Sequence, residues 1–121
     1  MSRVGWRLAF VVALVVNAAM VYLPVAVGPP SELPFLDKVV HAGSFALIAV
    51  TGCMARVPLV PLVVLIAGQA VVSEVVQATV TGLNRDGDWA DVVADLVGGA
   101  LGIGGFLLWR SRRERSSGPS G

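Results

Sequence analysis

The sequence predicts an all-α integral membrane bundle of four transmembrane helices, with both termini on the cytoplasmic side. Three observations predict it. Four apolar runs each approach the ~20 residues that cross about 30 Å of hydrocarbon. Hydrophobic residues make up 55% of the 121 positions and charged residues only 14%, against about 25% charged in soluble domains. The basic residues gather where one topology places nearly all of them on the same side. A mean hydropathy of +0.79 fits a chain covered by lipid rather than water.

The first span is expected over about 7–27, with Arg3 and Arg7 before it and Gly28, Pro29 and Pro30 closing it. A cleaved signal peptide also pairs basic residues with an apolar run, but this run is too long for a signal core. Asn17 is its only strongly polar interior residue. The second span, 36–55, opens with Asp37 and Lys38 and closes at Arg56 and Pro58. The third, 59–81, follows so tightly that the two must be antiparallel neighbours. The fourth, 89–110, ends in Arg110, Arg112, Arg113 and Arg115. Together they make one domain, 1–115, and the polar Gly/Pro-containing end, 116–121, reads as disordered.

Orientation follows from the basic residues. With the N-terminus inside, Arg3, Arg7, Arg56, Arg110, Arg112, Arg113 and Arg115 are cytoplasmic, and only Lys38 and Arg85 lie outside. Trp6 and Trp109 then mark the inner interface and Trp89 the outer one. The basic tail fixes orientation and touches anionic headgroups; no nucleic-acid partner is expected.

The informative residues are those that interrupt the apolar runs. Asp37, Lys38, His41 and Ser44 share one side of the second helix by helical spacing. Gln69, Ser73, Gln77 and Thr81 form a stripe of spacing four on the third, where Glu74 and Gln77 are three apart. Asp88, Asp91 and Asp95 repeat at three and four on the fourth. All lie in the outer half of their spans. An ionised Asp at mid-membrane costs roughly 2.5–3.5 kcal/mol, so these groups must face one another, a wet cavity or a partner. The expected site is therefore a polar pocket of Asp37, Lys38, His41, Glu74, Gln77, Arg85, Asp88, Asp91 and Asp95.

His41 with these acids offers nitrogen and oxygen donors of the kind divalent metals take. A lone histidine among acids is more often an ion-pair partner, so no metal and no cofactor is assigned. Cys53, the single cysteine, excludes an intramolecular disulfide and a Cys-based metal site. Ala90, Ala94, Gly98 and Gly102 recur every four residues along the fourth helix, the small-residue spacing that lets backbones approach closely. Packing within the bundle is the first reading of this stripe, and a homodimer seam is the alternative. Gly98 to Gly105 is no phosphate cradle, because no strand, Lys or Ser/Thr follows in P-loop spacing.

The order Asp37-Lys38-x-x-His41, Glu74-x-x-Gln77, Arg85-x-x-Asp88-x-x-Asp91-x-x-x-Asp95-x-x-Gly98-x-x-x-Gly102 resembles the VanZ-like family of small bacterial membrane proteins. The resemblance spans over half the chain. It departs from the family pattern at Asp95, where the family usually has Asn, and at Asp88, where it usually has Ser; both make the pocket more acidic. The resemblance implies a multi-pass protein of the bacterial cell membrane. It also implies a link to glycopeptide (teicoplanin) resistance, without an established reaction.

The leading functional expectation is thus an envelope protein whose outer-leaflet pocket binds a lipid-linked envelope precursor or another amphiphilic anionic ligand. In it Lys38 and Arg85 meet the headgroup, and His41, Glu74 and Asp91 are its candidate proton-transfer or metal-binding groups. A small proton-coupled transporter, with Glu74 and Asp95 as proton carriers, is one alternative. A membrane scaffold or immunity partner without ligand chemistry is another. No catalytic residue is assigned, since Ser44 and Ser73 qualify as nucleophiles by location alone.

Overall fold

The computed structural model describes residues 1–23, 36–80 and 89–119. They form four helices, α1 (Arg3–Tyr22), α2 (Leu36–Met54), α3 (Leu59–Thr79) and α4 (Trp89–Ser116), with no strand among the described residues. All four are long and apolar enough to cross a membrane, so the protein has the build of a multi-pass membrane protein.

Two helices reach beyond their apolar runs at one end, although α1 stops at Tyr22, short of the expected boundary at 27. α1 starts at Arg3, four residues before the expected boundary at 7, because Ser2 caps it by accepting a 3.0 Å hydrogen bond from the Gly5 N–H. α4 continues past Arg110 to Ser116. Hydropathy ends at Trp109, but the helix is carried on by side-chain pairs. Arg110 Nε reaches Glu114 Oε1 at 3.0 Å, four residues on, and the Arg113 guanidinium lies 5.1 Å from the Trp109 ring centre. Arg113 and Arg115 in the last turn also oppose the negative end of the helix dipole. Ser116, expected in a disordered tail, closes this helix, and the Ser117 hydroxyl donates to the Arg113 carbonyl at 2.9 Å.

α2 turns into α3 through a tight, fully bonded cap. Arg56 N–H donates to Cys53 O and Val57 N–H to Gly52 O, both at 3.0 Å, the paired bonds of a Schellman motif. That motif puts Arg56 in the left-handed region at φ 62°, a conformation that disfavours a side chain with a Cβ. Pro58 caps α3 and Pro61 occupies its first turn, where a missing N–H costs nothing.

The packing is inverted relative to a water-soluble bundle. Asn17, Ser73 and Asp95 are each 1% exposed, whereas Val60 is 74% and Leu101 69% exposed. Only 17% to 39% of the most apolar stretch of each helix is buried inside the bundle, so most aliphatic side chains face outward. Such a surface is stable only against hydrocarbon. Inside, Ala13, Phe45, Ile48, Ala49, Leu62 and Ile66 form a compact apolar core.

α2 packs most extensively on α4 and next on α1. The α2–α4 approach explains the small-residue stripe. A Cβ on Gly98 would strike the backbone of Ala42, and one on Gly102 would lie 2.7 Å from both Ala46 O and Ala49 Cβ. Gly98 and Gly102 are buried and Ala94 half-buried, so α2 of the same chain occupies this stripe.

Candidate functional site

The close α2–α4 contact sets the register of the polar groups. Asp37, Lys38 and His41 lie on the first turns of α2, and Asp91 and Asp95 on the first turns of α4. Lys38 Nζ donates to Asp91 Oδ1 at 2.5 Å. His41 Nδ1 lies 2.9 Å from Asp95 Oδ1. His41 Nε2, on the other edge of the ring, faces Asp37 Oδ1 at 3.8 Å. Asp91, Asp95 and His41 are buried, while the Asp37 side chain is 63% and the Lys38 side chain 31% exposed. The cluster therefore runs from the end of the bundle inward.

A second set of bonds continues it deeper. Tyr22 OH donates to Gln69 Oε1 at 3.0 Å, Gln69 Nε2 to Asn17 Oδ1 at 3.1 Å, and Asn17 Nδ2 to Ser44 Oγ at 3.0 Å. Ser44 in turn donates to the His41 carbonyl at 3.0 Å, and His41 meets Asp95. One connected series of polar contacts thus passes through all four helices. From Asp37 to Ser44 it covers roughly 10 Å of α2 at 1.5 Å per residue. It stops at the apolar core of Phe45, Ile48, Leu62 and Ile66.

Of the residues expected in the pocket, the structure brings together Asp37, Lys38, His41, Asp91 and Asp95. Gln77 is buried but turned to α1, donating to the Val21 carbonyl at 3.1 Å. Glu74 is buried on α3, next to Ser73. Arg85 and Asp88 lie outside the described residues. Asn17, Tyr22 and Ser44 complete the network without having been placed in the pocket. The signal for Asn17 was its position as a lone amide in an otherwise apolar span.

Neither candidate nucleophile is activated. Ser73 Oγ donates to Ala70 O at 3.0 Å, and Ser44 Oγ is held between Asn17 and the His41 carbonyl. Among the described residues, no hydroxyl is bonded to an imidazole or carboxylate, as a nucleophile–base pair requires.

A cavity of about 270 Å³ opens beside the cluster, lined by Met20, Val21, Asp37, Val40, His41 and Ser44. A larger one of about 760 Å³ lies where Met1, Arg3, Trp6, Arg56, Trp109 and Arg110 converge. Among the described residues, no carboxylate or imidazole lines the larger cavity. Its lining brings the start of α1, the α2–α3 turn and the far part of α4 to one end of the bundle, opposite the polar cluster.

The chain matches no family model, no curated protein and no solved structure. What the site can do chemically thus rests on its own geometry. It offers one half-exposed ammonium, one imidazole edge and three carboxylates, all at one end of the bundle.

Proposed function

We propose that the chain is a VanZ-like multi-pass protein of the bacterial cell envelope, with both termini cytoplasmic. In this reading its polar end binds an anionic amphiphilic or lipid-linked ligand and influences glycopeptide sensitivity. The observation that carries it is the Lys38–Asp91 contact at the polar end of the bundle, where Asp37 and His41 line an open cavity. Asp91 is buried, and Lys38 reaches it from a partly exposed position. The flexible ammonium is therefore able to turn outward to a phosphate or carboxylate while remaining near Asp91. The motif order from Asp37 to Gly102 supports the family reading, and the aliphatic outer surface supports an amphiphile delivered from the bilayer.

Native mass spectrometry of the full chain in mild detergent tests this. A co-purified anionic lipid species on the native chain, lost from Lys38→Ala and Arg85→Ala, is expected. Deletion of the gene should also change teicoplanin susceptibility of the host. A bare protein mass together with unchanged susceptibility would remove the proposal.

One observation favours a second reading, a scaffold without ligand chemistry. Asn17, Ser44, Gln69 and Tyr22 satisfy one another, as groups that only cross-link helices do. In that case His41→Ala and Asp91→Asn lower stability and cellular phenotype in parallel. A transporter is less well supported, because the apolar core interrupts the polar contacts part-way along the bundle. Proton flux in liposomes abolished by Glu74→Gln would revive it.

A further inference from the structure

The carboxylate-lined edge of His41 plays no part in the ligand reading above. We propose that Asp37, His41 and Asp91 form a binding site for one divalent metal ion of the Mn²⁺ or Zn²⁺ type. The inference is independent of any amphiphilic ligand.

Three features of the geometry lead to it. First, one donor atom from each residue lies within 4.8 Å of the other two. Donors of an octahedral ion with 2.1 Å bonds are roughly 3.0 Å apart when adjacent and 4.2 Å when opposite, so side-chain rotations that close the three by about 1–2 Å bring them onto one centre. Asp37 and His41 are four residues apart on α2, the spacing by which a single helix turn chelates a metal. Asp91 supplies the third donor from α4.

Second, His41 is 6% exposed, yet its Nε2 makes no hydrogen bond among the described residues. The nearest acidic oxygen, Asp37 Oδ1, is 3.8 Å away, too far to accept a proton but a natural spacing for two ligands of one ion. The opposite nitrogen, Nδ1, is held by Asp95 at 2.9 Å. That leaves Nε2, on the edge of the ring facing Asp37, as the nitrogen able to coordinate an ion. A carboxylate behind a histidine fixes ring and tautomer in the same way at established metal centres. Asp95 is thus a positioning residue, not a ligand.

Third, the local charge calls for a cation. Among the described residues, Asp37, Asp91 and Asp95 face a single ammonium, Lys38. Three carboxylates against one ammonium form an acid-rich group next to low-dielectric surroundings. A divalent ion neutralises it. One nitrogen and two carboxylate donors suit Mn²⁺ or Zn²⁺ better than soft-ligand metals. Asp37 and His41 also line the 270 Å³ cavity, which gives water access to the site.

The test uses the untagged full chain in micelles, which contains one histidine, titrated with Mn²⁺ and followed by electron paramagnetic resonance. One ion per chain is expected, with ¹⁴N coupling from the imidazole, and Zn²⁺ should displace it. Asp37→Asn and His41→Gln should each weaken binding at least tenfold. Asp95→Ala should weaken it about 10- to 100-fold, the usual cost of losing a group that orients a metal-binding histidine. Glu114→Gln, at the other end of the bundle, should leave binding unchanged. Asp37 is exposed, so its variant is expected to fold even if His41→Gln does not, and the nitrogen coupling needs no variant. Absence of saturable binding overturns the proposal. So does Mn²⁺ bound without nitrogen coupling, or with equal affinity in Asp37→Asn.

Discussion

His41 Nδ1 and Asp95 Oδ1 lie 2.9 Å apart across the α2–α4 interface, with Asp95 only 1% exposed. Two ionisable side chains on helices far apart in sequence are therefore locked together inside an apolar bundle. The contact makes a clear distinction between two substitutions. Asp95→Ala removes the partner and leaves Nδ1 buried and unpaired, a loss of roughly 1–3 kcal/mol. Asp95→Asn keeps an oxygen at the same place and should lose less than half as much. Equilibrium unfolding in mixed micelles measures both. Equal losses would show that a neutral oxygen cannot replace the carboxylate, so that the contact depends on charge.

Lys38 and Asp91 make a different kind of pair, because one partner is partly exposed and the other buried. Lys38→Ala strands a buried carboxylate, whereas Lys38→Ala with Asp91→Asn removes the stranded charge too. A double-mutant cycle should give a coupling of about 1.5–3 kcal/mol, the range for hydrogen bonds to charged groups. Additive losses would mean the ammonium spends its time in solvent rather than on Asp91.

The spans were legible because a predominantly apolar run of about 20 residues matches the thickness of a bilayer and little else. What hydropathy cannot see is helix that needs no lipid. The Ser2 cap and the Arg110–Glu114 pair extend α1 and α4 by rules of local hydrogen bonding and charge, so both helices run beyond the ends of their apolar stretches. The face bearing Asp37, Lys38 and His41 was readable from i, i+4 spacing. Which acid on α4 each would meet was not. That depends on how α2 slides along α4, and the register is set by the backbone of Ala42 against Gly98 and of Ala46 against Gly102. Gln77 shows the same limit: its stripe was visible, but its partner is a backbone carbonyl on α1, which no side-chain pattern announces.

Gly98 and Gly104 test that register directly. A methyl at Gly98 meets the Ala42 backbone, which cannot move aside as a flexible side chain can, while Gly104 has open space around its Cβ position. Gly98→Ala should therefore destabilise the bundle by roughly 1–3 kcal/mol through overpacking. Gly104→Ala should be neutral or stabilising by up to about 1 kcal/mol from helix propensity. Thermal unfolding of both variants in the same detergent gives the comparison. A reversed order would require a different α2–α4 approach.

Asn17 should matter more than Tyr22, although both belong to one hydrogen-bonded series. Asn17 uses both ends of its amide, donating to Ser44 and accepting from Gln69, so Asn17→Ala breaks two links at a buried position. Tyr22→Phe breaks only the terminal one, to Gln69. At an average of about 0.6 kcal/mol per interhelical hydrogen bond in membranes, Asn17→Ala should lose about 1 kcal/mol beyond its packing loss, and Tyr22→Phe about half that. The ranking, read from chemical denaturation in micelles, is the decisive quantity; a larger loss at Tyr22 would place the network's anchor elsewhere.

The arrangement of the ends is open to a labelling test in cells. Met1, Arg3 and Arg110 border one cavity, so the two termini share one end of the bundle, and Leu36 begins α2 at the other. In the proposed topology the shared end lies in the cytoplasm, as its basic residues predict by the positive-inside rule. The single native cysteine simplifies the experiment, since Cys53→Ser gives a cysteine-free background. In that background Ser2→Cys and Ser117→Cys should resist a membrane-impermeant maleimide in intact cells and react after permeabilisation. Leu36→Cys, 50% exposed, should react before it. Labelling of Ser2→Cys and Ser117→Cys from opposite sides would contradict the bundle itself, because an even number of spans returns the chain to its starting side. Labelling of both from outside would leave the fold intact but invert it, moving Lys38 and the carboxylates to the cytoplasmic leaflet, away from any envelope precursor assembled on the outer surface.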